Sequence, residues 1–348
     1  MLAALVTDWG HHPVYTEVPE PEPRDGAEVA AVEASALTNL TRALVSGKHY
    51  ASKEIQLPAI PGVDGVARLA DGRRIYTGAL GYSGMMAQRA LVDPHGGVDI
   101  PEHVDSVTAA ALPNPGISAW TALSHAAAVK PGDHVLVLGA TGVTGSMAVQ
   151  LATTMFGAEA VVAAGRNTDR LAWLRSAGAH ATIALGEQDL GAQVAEMHAR
   201  RPFDAVLDYL WGEPAAEVLT ALAASHPAAH YHPTRFVQIG SMTGPTLPLD
   251  AGVLRGTGIT LSGVGIGSVP RIAHPAKGIG RRHRGLVRQR ALGNPRGADS
   301  LTHQTRAAEI SRSGRRCSPR WPSGWGWRRS SRCRRSRSAC RAYRWPRG

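Results

Sequence analysis

The sequence predicts an α/β protein in which a β-rich N-terminal portion is followed by a doubly wound parallel sheet and then by an irregular tail. Three observations carry that expectation. The run VLVLGATGVTGSMAVQLA, from Val135 to Ala152, reads as a strand, a glycine turn and a helix. Strand-like and helical segments alternate from there to about Ser262, and short β-type runs divided by Pro and Gly fill the chain up to about Pro101. The 348 residues suffice for two domains, expected at 1–117 and 118–270, with 271–348 left as the tail.

In the N-terminal portion, LAALVTDWG, PVYTEVPEPEP and the alternating EVAAVEASAL are rich in residues that suit strands. Turn signals at Ser46-Gly47, Pro61-Gly62, Asp71-Gly72 and Pro94 to Gly97 separate them from the strand-like GVARLA and RRIYTGAL. From Asp105 to Ala128 the chain turns alanine-rich and helical, broken at PNPG (Pro113 to Gly116), which reads as the passage into the second domain.

That domain opens on Val135 to Leu138, apolar throughout and too short for a helix, as a central strand buried on both faces would be. Ala140, Gly142 and Gly145 follow with A-x-G-x-x-G spacing, a variant of the dinucleotide fingerprint that spans Thr141, Val143 and Thr144. Without a Cβ, Gly142 admits a pyrophosphate to its backbone and Gly145 lets helix pack on strand, while the helix N-terminus offers free N–H groups to phosphate. Met147, Ala148, Leu151, Ala152 and Met155 give the helix one buried face. The bland alternative is an ordinary structural turn. Further strands are expected at Ala160 to Ala164, Thr182 to Leu185, Asp204 to Asp208, Arg235 to Ile239 and Ile259 to Ser262. Helices are expected at Thr168 to Ala177, Ala192 to Ala199 and Pro214 to Ala224.

The end of the second strand bears on cofactor choice. Where an NAD-binding unit carries an acidic residue for the ribose hydroxyl, this chain has Gly165-Arg166-Asn167. No carboxylate repels a phosphate there, and the Arg166 guanidinium can bind one, which favours NADP. Arg166 also reads as a solvated loop residue, and Arg170 as a helix-surface charge.

With these residues in place, the chain resembles the medium-chain dehydrogenase/reductase superfamily, in its zinc-free, quinone-oxidoreductase-like branch. The resemblance covers roughly residues 1–270 and rests on ASALTNLTRALVSGKHY, PGVDGVARLADGRRIY, NPGISAWTAL and KPGDHVLVLGATGVTG in combination. It implies a GroES-like N-terminal domain joined to a Rossmann-type domain, and hydride delivery from NADPH to a quinone or an α,β-unsaturated carbonyl. It places Asn39 and Tyr50 in a loop where an amide and a phenol hydrogen-bond the acceptor oxygen, with Arg42 where the family often has an aspartate. Tyr50 reads equally as a packed or surface tyrosine, Asn39 is similarly open, and His49 reads as structural. Gly240-Ser241-Met242 and Gly263 to Ile266 match stretches that line the nicotinamide pocket in relatives, although glycines there also serve simply as turns. A homodimer is a further implication, with no independent signal in the residues.

No metal is expected. Residues 1–270 contain no cysteine, and Gly62-Val63-Asp64 lacks the histidine of a G-H-E motif, so Asp64 reads as a turn residue. His226, His230 and His232 read as a polar loop between a helix and a strand.

Charge divides the chain sharply. Residues 271–348 carry 22 Lys and Arg against two Asp and Glu, whereas residues 1–270 are net acidic. The tail also holds Cys317, Cys333, Cys340, Trp321, Trp325, Trp327, Tyr343 and Trp345. Its arginines and aromatic rings suit nucleic acid. The preferred reading of its Arg-, Trp-, Pro- and Ser-rich composition is instead translation of a GC-rich gene out of frame, which would leave apolar surface of the body uncovered. Cysteine usage fits a cytoplasmic protein, and neither a signal segment nor a long apolar span is evident. Three functions stay open: an NADP-dependent reductase, a cofactor-binding protein with impaired catalysis, and a nucleic-acid-binding protein.

Overall fold

A computed structural model describes residues 1–78, 84–225, 231–265, 268–269 and 307–309. The readings of the basic tail, and of Ala79, Leu80, His226, His230 and Ile266, lie outside the described residues.

The N-terminal strands are antiparallel. β1 (Leu2–Leu5) and β2 (Val14–Glu17) form a ribbon. β3 (Glu28–Ala36), β4 (Gly65–Arg68), β5 (Arg74–Thr77), β6 (Arg89–Val92), β7 (Val98–Asp99) and the short β14 (Ala307–Glu309) build one sheet, in order β14-β3-β4-β5-β7 with β6 also on β3. The alternation in EVAAVEASA places Ala30 and Val32 in a core with Ala67, Ile75 and Val92. The register of β3 against β4 shifts between Val32 and Ala34. The bulged Glu33 accepts from Arg68 Nε at 2.6 Å and Ser106 Oγ at 2.5 Å. Burial works to raise its carboxyl, but Ser106 and Arg68 outweigh burial and hold it below the ordinary range.

One helix of the N-terminal portion was not foreseen. α1 (Asn39–Val45) is capped by Thr38, whose hydroxyl accepts from Thr41 N. The break expected at PNPG falls at Leu112: α2 (Ser106–Ala111) stops before it and α3 (Pro113–Thr121), which contains PNPG, starts after it, with Pro in its first turn, where a missing N–H costs nothing.

The parallel sheet follows expectation closely. It comprises β8 (His134–Leu138), β9 (Ala160–Gly165), β10 (Ala181–Ala184), β11 (Ala205–Asp208), β12 (Thr234–Gln238) and β13 (Ile259–Gly263), in order β10-β9-β8-β11-β12-β13. Every neighbouring pair is parallel. Its helices are α4 (Val143–Thr154), α5 (Thr168–Ser176), α6 (Leu190–Arg200), α7 (Gly212–Ala224) and α8 (Ala251–Thr257), the last without a periodic signal in the sequence. All five residues of β8 are buried. Val135 and Val137 face the layer that holds α3, α4 and α5, whereas Leu136 and Leu138 face that of α6 and α7. Met155, expected on the buried face of α4, instead caps its C-terminus and is exposed.

The sheet's N-terminal edge carries a titratable ring. His134 stacks on Phe203 at 4.2 Å, and its Nδ1 lies 3.0 Å from the Arg201 carbonyl oxygen. Burial lowers its pKa below the ordinary 6.5, only partly offset by the carbonyl. As pH falls, the unfolded chain therefore binds the proton first, so His134 stabilises the fold above about 6.5 and that contribution is lost as pH falls through the lower folded value. The melting temperature is accordingly expected to drop between about pH 7 and 5. His134→Phe, which keeps the stack and removes the titration, should flatten part of that slope, and an unchanged slope would refute the assignment.

Candidate active site

The strand order reverses at β8: the chain moves outward to β9 and β10, then crosses to β11 on the other side. The carboxyl ends of β8 and β11 thus flank a topological switch point, the place where open α/β sheets bind ligands. The turn from β8 into α4 is set by two glycines. Gly139 has φ of +79°, and a Cβ there would also lie 3.1 Å from Leu210 Cδ2. A Cβ on Gly145 would run into the Gly139 carbonyl oxygen and stand 2.8 Å from Ala140 Cα, so only glycine lets α4 start this close to the strand. Gly142 is the N-cap, and no side chain caps the helix, which leaves the amides at Val143, Thr144 and Gly145 without a side-chain acceptor. Ala140 is buried and its N–H bonds the Ala164 oxygen, tying the turn to β9.

On the β9 side, Thr141 lies against Gly165: a Cβ on Gly165 would be 2.7 Å from Thr141 Oγ1. Arg166 is exposed. Asn167 caps α5 by accepting from Arg170 N at 2.9 Å, so its side-chain oxygen is already in use. Arg170 departs from its reading as a surface charge. Its Nε and Nη2 are shielded from solvent and have no hydrogen-bond partner among the described residues. Burial lowers its pKa, but a guanidinium remains charged. The composition could not reveal this, because shielding depends on the packing of α5.

On the β11 side, the Asp208 carboxylate accepts from Leu210 N at 2.8 Å and Trp211 N at 3.0 Å. Burial pushes this carboxyl up, against the pull of those two amides. They hold Trp211 at φ +59°, ψ −163°, a conformation that costs a non-glycine residue about 1–3 kcal/mol. Thr243 Oγ1 donates to the Trp211 oxygen at 2.6 Å and so fastens the loop after β12 to the same turn. Gly240 lies against the Tyr209 backbone, Ser241 is exposed, and Met242 Sδ accepts from Asn39 Nδ2 at 4.0 Å. Asn39 is thereby brought to the Gly240 to Met242 loop. Tyr50 sits in a 3-10 turn, 77% exposed, with its ring 4.1 Å from that of His49.

Asp64 corrects another expectation. It is no open turn residue but a buried carboxyl beside β4, accepting from Tyr76 OH at 2.7 Å and Asn114 Nδ2 at 3.3 Å. Burial raises its pKa, against both hydrogen bonds. Among the described residues no group of three His, Cys, Asp or Glu is arranged to hold a metal ion.

The sequence model for the zinc-binding dehydrogenase family matches residues 143–274. The fold compares with the quinone oxidoreductase of Thermus thermophilus, a structure that includes an NADPH complex, at a TM-score of 0.65 and 27% identity, over 84% of this chain and 86% of that one. In sequence and fold the chain is thus similar to quinone oxidoreductases of the medium-chain dehydrogenase/reductase type. Among curated members of the superfamily, quinone oxidoreductase-like protein 2 of Bos taurus is 31% identical over 178 residues, 48% of this chain and 50% of that protein. Human quinone oxidoreductase is 26% identical over 65% of this chain and 68% of its own length. The chain thus spans about half the length of the bovine relative.

The two fingerprint glycines should separate on substitution. Gly145→Ala is expected to destabilise the protein by roughly 1–3 kcal/mol in urea unfolding. Gly142→Ala, whose Cβ would meet only the Gly139 oxygen at 3.3 Å, should cost about 1 kcal/mol or less. Equal costs would mean that α4 does not approach the strand as described.

Proposed function

We propose that this protein is an NADPH-dependent oxidoreductase of the medium-chain dehydrogenase/reductase superfamily that reduces a quinone or an α,β-unsaturated carbonyl without zinc. The observation that carries the reading is the fit of the switch point to this coenzyme. An α4 N-terminus without a side-chain cap suits the pyrophosphate. Arg166 and the Arg170 guanidinium, whose Nε and Nη2 have no partner among the described residues, suit the 2′-phosphate, at a strand end, Gly165-Arg166-Asn167, that itself carries no carboxylate. The relatives' names add support, as does the NADPH complex of the Thermus protein.

Bound NADPH supplies the hydride, and the acceptor also takes up a proton. Asn39, whose amide lies 4.0 Å from Met242 Sδ, orients the acceptor oxygen and stabilises charge as it develops there. The Asp208 turn and Thr243 keep that loop in place. The zinc-free reading draws on the absence of cysteine from residues 1–270 and on the donor set around Asp64, whose partners are a phenol and an amide rather than histidine or cysteine. A second reading, coenzyme binding with impaired turnover, is favoured by one observation: Tyr50, the phenol proposed for the acceptor, is 77% exposed.

Purified protein is expected to oxidise NADPH in the presence of a simple quinone, with no loss of rate after exhaustive chelation. Binding of NADPH without turnover would favour the second reading, and a rate restored by added zinc would overturn the zinc-free one. Arg170→Ala should weaken NADPH roughly tenfold or more while leaving NADH nearly unaffected. Gly142→Ala should lose NADPH binding out of proportion to its stability, because its Cβ stands at the helix end that receives the phosphates.

A further inference from the structure

Tyr209 is the first residue beyond β11, and its backbone is closely flanked on both sides. A Cβ on Gly139, in the turn after β8, would lie 3.3 Å from Tyr209 Cβ, and one on Gly240, after β12, would lie 2.6 Å from the Tyr209 oxygen. Tyr209 therefore stands on the floor of the switch point. Only 8% of the residue is exposed, and its side chain packs in a cluster with Ala119, Leu123, Ala140 and Val264. The phenol oxygen is shielded from solvent and has no hydrogen-bond partner among the described residues. Burial alone raises its pKa, so the hydroxyl keeps its proton and is a donor. A buried phenol without an acceptor costs stability that phenylalanine, identical in carbon skeleton, would not.

We propose that the Tyr209 hydroxyl donates a hydrogen bond to the nicotinamide half of bound NADPH. The inference rests on the functional reading above and adds a residue to it. Its direction follows from the strand order. The dinucleotide crosses the switch point with its pyrophosphate at α4. The β9 side carries Arg166 and Arg170 and takes the phosphorylated adenosine half, so the other half passes over β11 and β12. Asn39 reaches the chain on that same side, at Met242. The nicotinamide half offers ribose and carboxamide oxygens as acceptors, and a phenol desolvated in advance gains a partner without losing water.

The test compares wild type with Tyr209→Phe in two measurements: thermal melting without coenzyme, and calorimetric titration with NADPH and, separately, with adenosine 2′,5′-bisphosphate. The expected result is an unchanged or higher melting temperature for Y209F, NADPH binding weakened about tenfold, and unaltered binding of the bisphosphate, which lacks the nicotinamide half. A Y209F protein that melts earlier, or fails to fold, has lost a bond made without coenzyme, and the proposal is overturned. Equal weakening toward both ligands places the contact on the adenosine half and also overturns it. NADPH binding equal to wild type removes the tyrosine's role and leaves the functional reading standing, whereas a wild-type protein that binds neither ligand removes both.

Discussion

The close approach of α4 to the end of β8 is the constraint on which the other features of the crevice depend. A side chain at Gly145 would push the helix off the Gly139 carbonyl, and one at Gly139 would both strain the backbone and press on Leu210. With the two glycines in place, the helix axis points its first amides at the switch point, and Thr141 fits against Gly165 on the neighbouring strand. The same contact fixes the depth of the floor, because Tyr209 and Leu210 pack directly beneath the turn. The aim of the α4 amides and the seating of β11 against β8 are therefore one packing problem with one solution.

From that floor a chain of polar contacts runs toward the antiparallel strands. Asp208 holds the Leu210 and Trp211 amides, Thr243 fastens the next loop to Trp211, and Met242 in that loop meets Asn39 at the start of α1. Trp211 is kept in a conformation that few side chains adopt, and three groups over-determine it: two backbone amides on a buried carboxylate and a hydroxyl on its own carbonyl. Strain sustained in this way makes a rigid rim. Under the proposed reading, rigidity there would matter because a hydride acceptor must be held at a fixed distance from the coenzyme.

Much of this was legible in the sequence, and the reasons are physical. β8, β9 and β11 are largely apolar runs between glycine or polar turns, as strands buried on both faces must be, whereas β12 and the edge strand β13 mix polar with apolar residues. The fingerprint spacing was equally plain, since close backbone approach leaves no choice but glycine at Gly145. What escaped notice was tertiary. α1 has only a Thr38 cap and one buried residue to announce it, and α8 ends in a left-handed Gly258 after a single short helical stretch. Asp64 looked like a turn residue because its two partners, Tyr76 and Asn114, lie far along the chain. Arg170 looked like a surface charge because a helix position says nothing about which neighbours cover it.

The two unpartnered polar groups beside the crevice make the strongest case that its shape is not merely structural. Protein interiors satisfy nearly all buried donors, and each exception costs on the order of 1–3 kcal/mol, more for a charge. Arg170 follows the end of β9 and Tyr209 follows β11, so the pair straddles β8 along the line that a dinucleotide takes across a switch point. Their chemistry differs in the sense that the proposed ligand's two ends differ: a cation on the side assigned to the ribose phosphate, a neutral donor on the side assigned to the nicotinamide. A fold selected only for packing would have replaced the guanidinium by an aliphatic chain and the phenol by a phenyl ring, each a gain in stability. That both remain, on opposite sides of a helix start whose amides no side chain caps, is best understood if these groups serve a shared partner.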